Sequence, residues 1–285
     1  MTIYGTPSAN GDNVVLVAHA LTGTSAVAEW WPGLIGPGTL FDTQHWCVVG
    51  LDLGNERSLA EVVRAQRRQL DDRGITHARI VIGGSLGGMQ ALQWALDAPE
   101  RVDHAIVIGA SDHHTAMGIA LNAVQREAIA LDPQRGLGLA RKIAMLTYKS
   151  EELLRDRHAR KSDRNDPARF DVEGYLDHQG RKLLARMDPQ TYVARTHLMD
   201  SFDVRDRVRP SGVEITFVGI SSDWLFRPQE IRAAATRLGA RYLELESDHG
   251  HDAFLAEGAK LHALLSSIAT AARSGSNALT TRSGS

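Results

Sequence analysis

Apolar residues come in short runs along this chain, each closed by a polar or glycine-rich turn and followed by apolar positions at helical spacing. Val14-Val15-Leu16-Val17-Ala18 reads as a buried strand that stops at His19-Ala20-Leu21-Thr22-Gly23. Trp46 to Leu51 reads as a second strand, ending in the turn-prone Asp52-Leu53-Gly54-Asn55. Ser58 and Glu61 have capping-box spacing, and Val62, Val63, Gln66 and Leu70 continue the helix. Ala78 to Ile82 leads through Gly83-Gly84-Ser85-Leu86-Gly87-Gly88 into a helix over Met89–Leu96, and Val102 to Gly109 is a fourth strand. Strands alternating with helices predict a mostly parallel sheet flanked by helices.

The rhythm changes after Thr115. No strand pattern occurs up to Asp203; helical stretches run over Ala116–Ala130, Leu137–Leu154, Val172–Arg186 and Thr191–Ser201. Strands resume over Val213–Ile220 and Arg241–Glu246, with helices at Gln229–Leu238 and Ala253–Ala271. The division is therefore a core of about 1–112 and 204–272, an inserted helical cap of 113–203, and a tail. The tail, 273–285, repeats Arg-Ser-Gly-Ser without a core pattern and reads as flexible or as an expression remnant.

Composition removes several function classes. The 285 residues carry 32 Lys+Arg and 34 Asp+Glu, so no global charge draws the chain to nucleic acid or membrane. A single cysteine, Cys47, excludes an internal disulfide framework and a cysteine-based zinc site. No run reaches the roughly 18 apolar residues needed to span a bilayer, and Met1 to Gly11 shows no secretory pattern. The expectation is a cytoplasmic protein acting on a small molecule.

The chemistry gathers at Gly83-x-Ser85-x-Gly87, placed between a strand and a helix as a nucleophile elbow requires. The glycines leave room for a sharp, strained turn, and the helix that starts there points free N–H groups toward the serine oxygen. A nucleophile needs a base, and the base an orienting acid. In α/β-hydrolases the chain order is Ser, Asp or Glu, His. Asp223 follows the strand ending at Ile220; His249 and His251 both follow the last strand, and the pattern alone leaves the two open. The oxyanion donors expected are the N–H of Leu86 and, from the loop after the first strand, that of Leu21. His19 is expected to organise that loop through a backbone hydrogen bond. No metal cluster is expected outside this loop set.

These residues resemble a known family. His19-Ala20-Leu21-Thr22-Gly23, Gly83 to Gln90, Ser221-Ser222-Asp223-Trp224-Leu225-Phe226 and Gly250-His251-Asp252-Ala253-Phe254-Leu255 are similar to the homoserine O-acetyltransferase family of α/β-hydrolases, over about Tyr4 to Leu264. The resemblance implies a Ser85, Asp223, His251 triad, which settles the histidine. It also implies Arg141 for a substrate carboxylate and Asp252 for its amino group, acetyl-CoA as co-substrate with no bound cofactor, and a homodimer through the helical cap.

Two departures matter. The family's long glycine-rich segment is missing: Leu51-Asp52-Leu53-Gly54-Asn55 runs almost directly into the helix at Ser58. The short N-terminus also predicts that a leading antiparallel edge strand is absent. A lost wall admits water to an acyl-enzyme, so an acetyl esterase is expected first, homoserine O-acetyltransferase second, and a non-catalytic binding protein third.

Overall fold

The computed structural model describes residues 1–9 and 11–274. Seven strands form one sheet in the order β1-β3-β2-β4-β5-β6-β7. They are β1 (Thr2–Tyr4), β2 (Val14–Ala18), β3 (Cys47–Leu51), β4 (Ala78–Gly84), β5 (Val102–Ile108), β6 (Glu214–Ile220) and β7 (Arg241–Leu245). All neighbours are parallel except β1, which pairs antiparallel with β3, Ile3 opposite Val49. The expectation of a missing edge strand is therefore overturned. Three residues were too few for a period-two signal, and backbone pairing to β3 supplies what the side-chain pattern does not.

β2 and β3 are buried along their whole length, because helices cover both faces of the sheet. On one face, α2 (Leu59–Asp71), α3 (Leu86–Asp97) and α9 (Pro228–Arg237) bury Val62, Val63, Leu92 and Ile231. On the other, α1 (Val27–Trp30), α10 (Ala253–Ala256) and α11 (Gly258–Ser274) bring in Val27, Phe254, Leu261 and Leu265, with Trp31 beside them. Full burial of an aromatic or leucine side chain contributes about 1.5–3 kcal/mol, so these two layers carry most of the hydrophobic stabilisation.

Five helices lie between β5 and β6: α4 (Ala116–Leu131), α5 (Pro133–Tyr148), α6 (Glu151–His158), α7 (Asp171–Leu184) and α8 (Pro189–Asp200). Their starts follow from local chemistry. Thr115, Asp132, Ser150 and Asp188 accept hydrogen bonds from first-turn N–H groups, and Pro133 and Pro189 occupy first helical positions. Ser150 corrects one expectation. The single helix read over Leu137–Leu154 is two, broken at an extended Lys149, because Ser150 caps Leu153 N–H at 3.1 Å. The helix expected over Ala253–Ala271 is likewise interrupted at Glu257. α11 runs to Ser274, past the expected start of the tail, whose remainder (275–285) lies outside the described residues.

The topology places the site. From β2 the chain passes to β3 on one side, and β4 lies on the other, so a crevice opens where the strand order reverses. Ala18 stands opposite Gly83, which sets the loop after β2 directly beside the loop after β4.

Candidate active site

Ser85 sits at φ 58°, ψ −125°, a conformation that side chains other than glycine rarely adopt. The turn is held by its surroundings. Ser85 N–H donates to Ile108 O at 2.9 Å, and Met89 N–H donates back to Ser85 O at 3.0 Å. A Cβ on Gly87 would lie 2.2 Å from Ala18 O, and one on Gly84 would lie 2.5 Å from the Phe254 ring. The glycines are thus demanded by the close approach of strand, helix and Phe254, as the sequence pattern implied.

His251 Nδ1 is 2.6 Å from Asp223 Oδ2, both side chains almost completely buried. The other carboxylate oxygen of Asp223 accepts from Leu225 N–H at 2.9 Å and Phe226 N–H at 3.0 Å. An ionised carboxylate only accepts, so Nδ1 carries the proton and Nε2 presents its lone pair. Nε2 is buried without a hydrogen-bond partner among the described residues, and His251 lines the same cavity as Ser85. Burial opposes a charge on His251, but the Asp223 charge and hydrogen bond, aided by Asp252, outweigh it and hold the imidazole pKa above its ordinary value. Phe226 stacks on this ring at 5.3 Å and Phe254 meets it edge-on at 5.8 Å, fixing its plane. His249 makes no contact of this kind: its backbone N–H donates to Ser247 Oγ, so it shapes the loop.

The loop after β2 is organised around His19. Its Nδ1 lies 2.8 Å from Ala20 O, which also accepts from Gly23 N–H at 2.9 Å. Burial first, and then the charge of Arg195, lower the His19 pKa to about 4, so the ring is neutral and its Nδ1–H is the donor. In a trans peptide the C=O and the following N–H point in opposite directions. Fixing Ala20 O therefore aims Leu21 N–H the other way. Beneath the loop, Gln90 donates to His19 O, Gln66 to Gln90, and Trp94 to Gln66, a buried amide chain.

A cavity of about 580 Å³ brings together Ala20 to Thr24, Ser85, Arg141, Tyr148, His251 and Asp252. Ser85, His251, Leu21, Arg141 and Asp252 thus line one space; Asp223 stands behind His251, and Leu86 opens α3 beside Ser85. Arg141 lies 5.5 Å from the centre of the Tyr148 ring and has no carboxylate partner among the described residues. Asp252 is already paired, its Oδ2 2.9 Å from Lys149 Nζ. Sequence reading missed Tyr148, Lys149 and the arginines Arg186 and Arg195. For Tyr148 and Lys149 the signal available was Ser150-Glu151-Glu152, a helix start that ends the preceding helix at those residues. Gly250, at φ +65°, lets this segment approach: a Cβ there would lie 2.7 Å from Ser150 N. A groove of about 670 Å³ on the outer side of α4, α5 and α7 holds neither Ser85 nor His251. Among the described residues, no group of three His, Cys, Asp or Glu could hold a metal ion, and no helix is long and apolar enough to cross a membrane.

Comparison with known proteins gives this geometry relatives. The family model for the alpha/beta hydrolase fold matches residues 13–257. A homoserine O-acetyltransferase of Deinococcus radiodurans is 42% identical, covering 88% of this chain and 80% of that protein. One from Gluconobacter oxydans is 38% identical, covering 89% and 83%. A homoserine O-succinyltransferase of Aromatoleum aromaticum is 34% identical, covering 92% and 88%. The Gluconobacter alignment extends over 328 positions, more than the 285 residues here, so that relative carries segments this chain lacks. Among solved structures, homoserine O-acetyltransferase from Bacillus anthracis superposes with a TM-score of 0.80 at 21% identity, covering 94% of this chain and 89% of that one. An acetylester hydrolase from Corynebacterium glutamicum gives 0.80 at 19%, with the same coverage, so these two show the shared fold. By sequence and by fold, the chain belongs to the homoserine O-acetyltransferase-like family of the α/β-hydrolases.

Proposed function

We propose that this protein transfers an acyl group from an acyl-CoA to the hydroxyl of homoserine, through an acyl intermediate on Ser85. The observation that carries the reading is Arg141: a guanidinium without a carboxylate partner among the described residues, in the cavity that holds Ser85 and His251. A simple ester needs no such group, whereas an amino-acid acceptor offers its carboxylate to it. The reading also draws on relatives named as acyltransferases at 34–42% identity. The acetylester hydrolase of Corynebacterium glutamicum, at 19% identity, is similar at the level of fold. That reverses the order set by the sequence, in which the missing segment put ester hydrolysis first.

In this mechanism His251 Nε2 takes the Ser85 proton as Oγ attacks the thioester carbonyl. The N–H groups of Leu21 and Leu86 receive the negative charge of the tetrahedral intermediate. Collapse expels the thiol, which takes the proton from His251. The acceptor hydroxyl then gives its proton to the same nitrogen as it attacks the acyl-serine, and collapse breaks the acyl–Oγ bond as Ser85 Oγ takes that proton back. Asp223 keeps the tautomer and stabilises the imidazolium in both halves. Arg141 orients the acceptor carboxylate. Asp252 takes its ammonium in exchange for part of its bond to Lys149. Water is the competitor, and a bound, oriented acceptor overcomes its concentration through an effective molarity that reaches about 10⁵ M in well-built sites.

The test incubates the enzyme with acetyl-CoA or succinyl-CoA, with and without homoserine, and follows thiol release. Release that depends on homoserine, with the O-acyl product formed, is the expected result. Thiol or acid release indifferent to homoserine, with fast cleavage of activated acetate esters, would instead establish ester hydrolysis. That second reading is favoured by the short 52–58 connection between β3 and α2.

A further inference from the structure

Three consecutive carbonyl groups of the loop after β2 point at arginines of the helical block. Arg195, on α8, donates from Nη1 to Leu21 O at 2.8 Å and to Gly23 O at 3.1 Å. Arg186, just beyond the end of α7, donates from Nη1 to Thr22 O and from Nη2 to Thr22 Oγ1. Arg186 is exposed, so its hydrogen bonds are screened by water. Arg195 is different. It is half-buried, shares the inner side of α8 with the buried Tyr192, Thr196 and Met199, and forms no ion pair among the described residues. Burial pushes its pKa below the ordinary value. A cation drawn in from water and held on peptide carbonyls alone costs desolvation that an ion pair would offset, and the fold nevertheless keeps it there.

Those carbonyls belong to the loop that carries the proposed oxyanion donor. His19 and Gly23 N–H already fix the peptide before Leu21. Arg195 fixes the peptide after it, through Leu21 O, and the end of the turn, through Gly23 O. With both flanking carbonyls anchored, the Leu21 N–H has one direction left. We infer that Arg195 is the positioning residue of the oxyanion hole, locking the Leu21–Gly23 loop so that Leu21 N–H meets the developing charge only while α8 is seated on the core. Its positive charge also lies on the carbonyl side of the loop, where it favours a negative oxygen nearby. The helical block would then do more than cover the cavity: its docking completes the catalytic machinery. The charge of Asp52, at the start of the β3–α2 connection, acts on Arg195, but the two form no ion pair among the described residues.

The inference rests on the acyl-serine reading, and the experiment separates the two. Wild type, Arg195→Met, Arg195→Gln and Arg195→Lys are titrated to completion with a fluorophosphonate, which counts reactive Ser85. Homoserine-dependent thiol release from acetyl-CoA is then expressed as turnover per titrated site, and inhibition by a trifluoromethyl ketone, whose adduct places an oxyanion in the hole, is measured alongside. Misplacing a catalytic donor by about 1 Å costs on the order of 100-fold. Arg195→Met is expected to label fully but slowly, to lose kcat by that order with KM within about twofold, and to weaken the ketone by a similar factor. Arg195→Lys recovers part of the loss. A purely structural role would lower the titrated fraction and leave kcat per site unchanged, which overturns the proposal. A loss confined to KM overturns it too. Should Arg195→Met not fold, Arg195→Gln, whose shorter side chain cannot reach both Leu21 O and Gly23 O, takes its place, and a wild-type kcat per site in that variant is equally fatal. Wild-type protein that fails to label at Ser85 refutes the acyl-serine reading instead.

Discussion

His19 makes the stability of the oxyanion loop depend on pH. Its ring is buried, and burial together with the Arg195 charge lowers its pKa from 6.5 to about 4. Between those values the unfolded chain holds a proton on this residue and the folded chain does not. Stability therefore rises with pH across that window and is lost as pH falls from about 6.5 toward 4. Lowering a pKa by one corresponds to about 1.4 kcal/mol, so this one group accounts for about 3 kcal/mol over the window. Protonation also sets a cation against Arg195. The assay is urea unfolding at half-unit steps from pH 4 to 8, comparing wild type with His19→Asn. Asparagine can keep a donor where Nδ1–H bonds Ala20 O, but it does not titrate. Other groups contribute equally to both proteins, so the difference isolates His19. The gap between the two curves is expected to change by about 3 kcal/mol between pH 6.5 and 4, with the variant gaining relative to wild type at the acid end. Parallel curves would refute the buried neutral histidine, and with it the assignment of Nδ1–H as the donor that aims Leu21 N–H.

Ser85→Ala is expected to lose about 10⁴-fold or more in turnover and to resist labelling by a fluorophosphonate; wild-type turnover in the purified variant would remove Ser85 from the mechanism. Asp223→Asn takes away the charge that holds the His251 pKa up and leaves the burial that pushes it down. The acid limb of the pH–rate profile, which in wild type lies above the ordinary histidine value, should move to lower pH while kcat falls about 10⁴-fold; an unmoved limb contradicts the assignment. Arg141→Met should raise the KM for homoserine at least about tenfold, since a hydrogen bond to a charged group contributes about 1.5–3 kcal/mol. Equal KM values in steady-state transfer assays would show that the acceptor carboxylate binds elsewhere.

Much of the architecture was legible because a doubly covered parallel sheet writes itself as continuous apolar runs. Val14–Ala18 and Cys47–Leu51 could be recognised without any partner in view. The elbow was legible for a related reason: the glycines around Ser85 answer to local backbone crowding, and local constraints leave local sequence. β1 escaped notice because a three-residue edge strand takes its identity from hydrogen bonds to Val48–Gly50 far along the chain. The break at Lys149 escaped because apolar spacing continues across it, and only the Ser150 cap shows that the axis turns.

The sequence alone determined the order Ser85, Asp223, His251, the insertion of a helical block, and the absence of a global charge that would draw the chain to nucleic acid. Spacing could not choose between His249 and His251, which are two residues apart on one loop. The family resemblance pointed to His251, and the fold supplies the physical reason, since His251 reaches Asp223 at 2.6 Å. Nor could it show that Lys149 pairs with Asp252, or that Arg195 closes on Leu21, 174 positions away. Pattern reports which side chains are apolar and which turns are tight, because those preferences act over a few residues. The aim of an N–H group and the pairing of a buried charge depend on neighbours brought together by packing, and these exist only once the chain has folded.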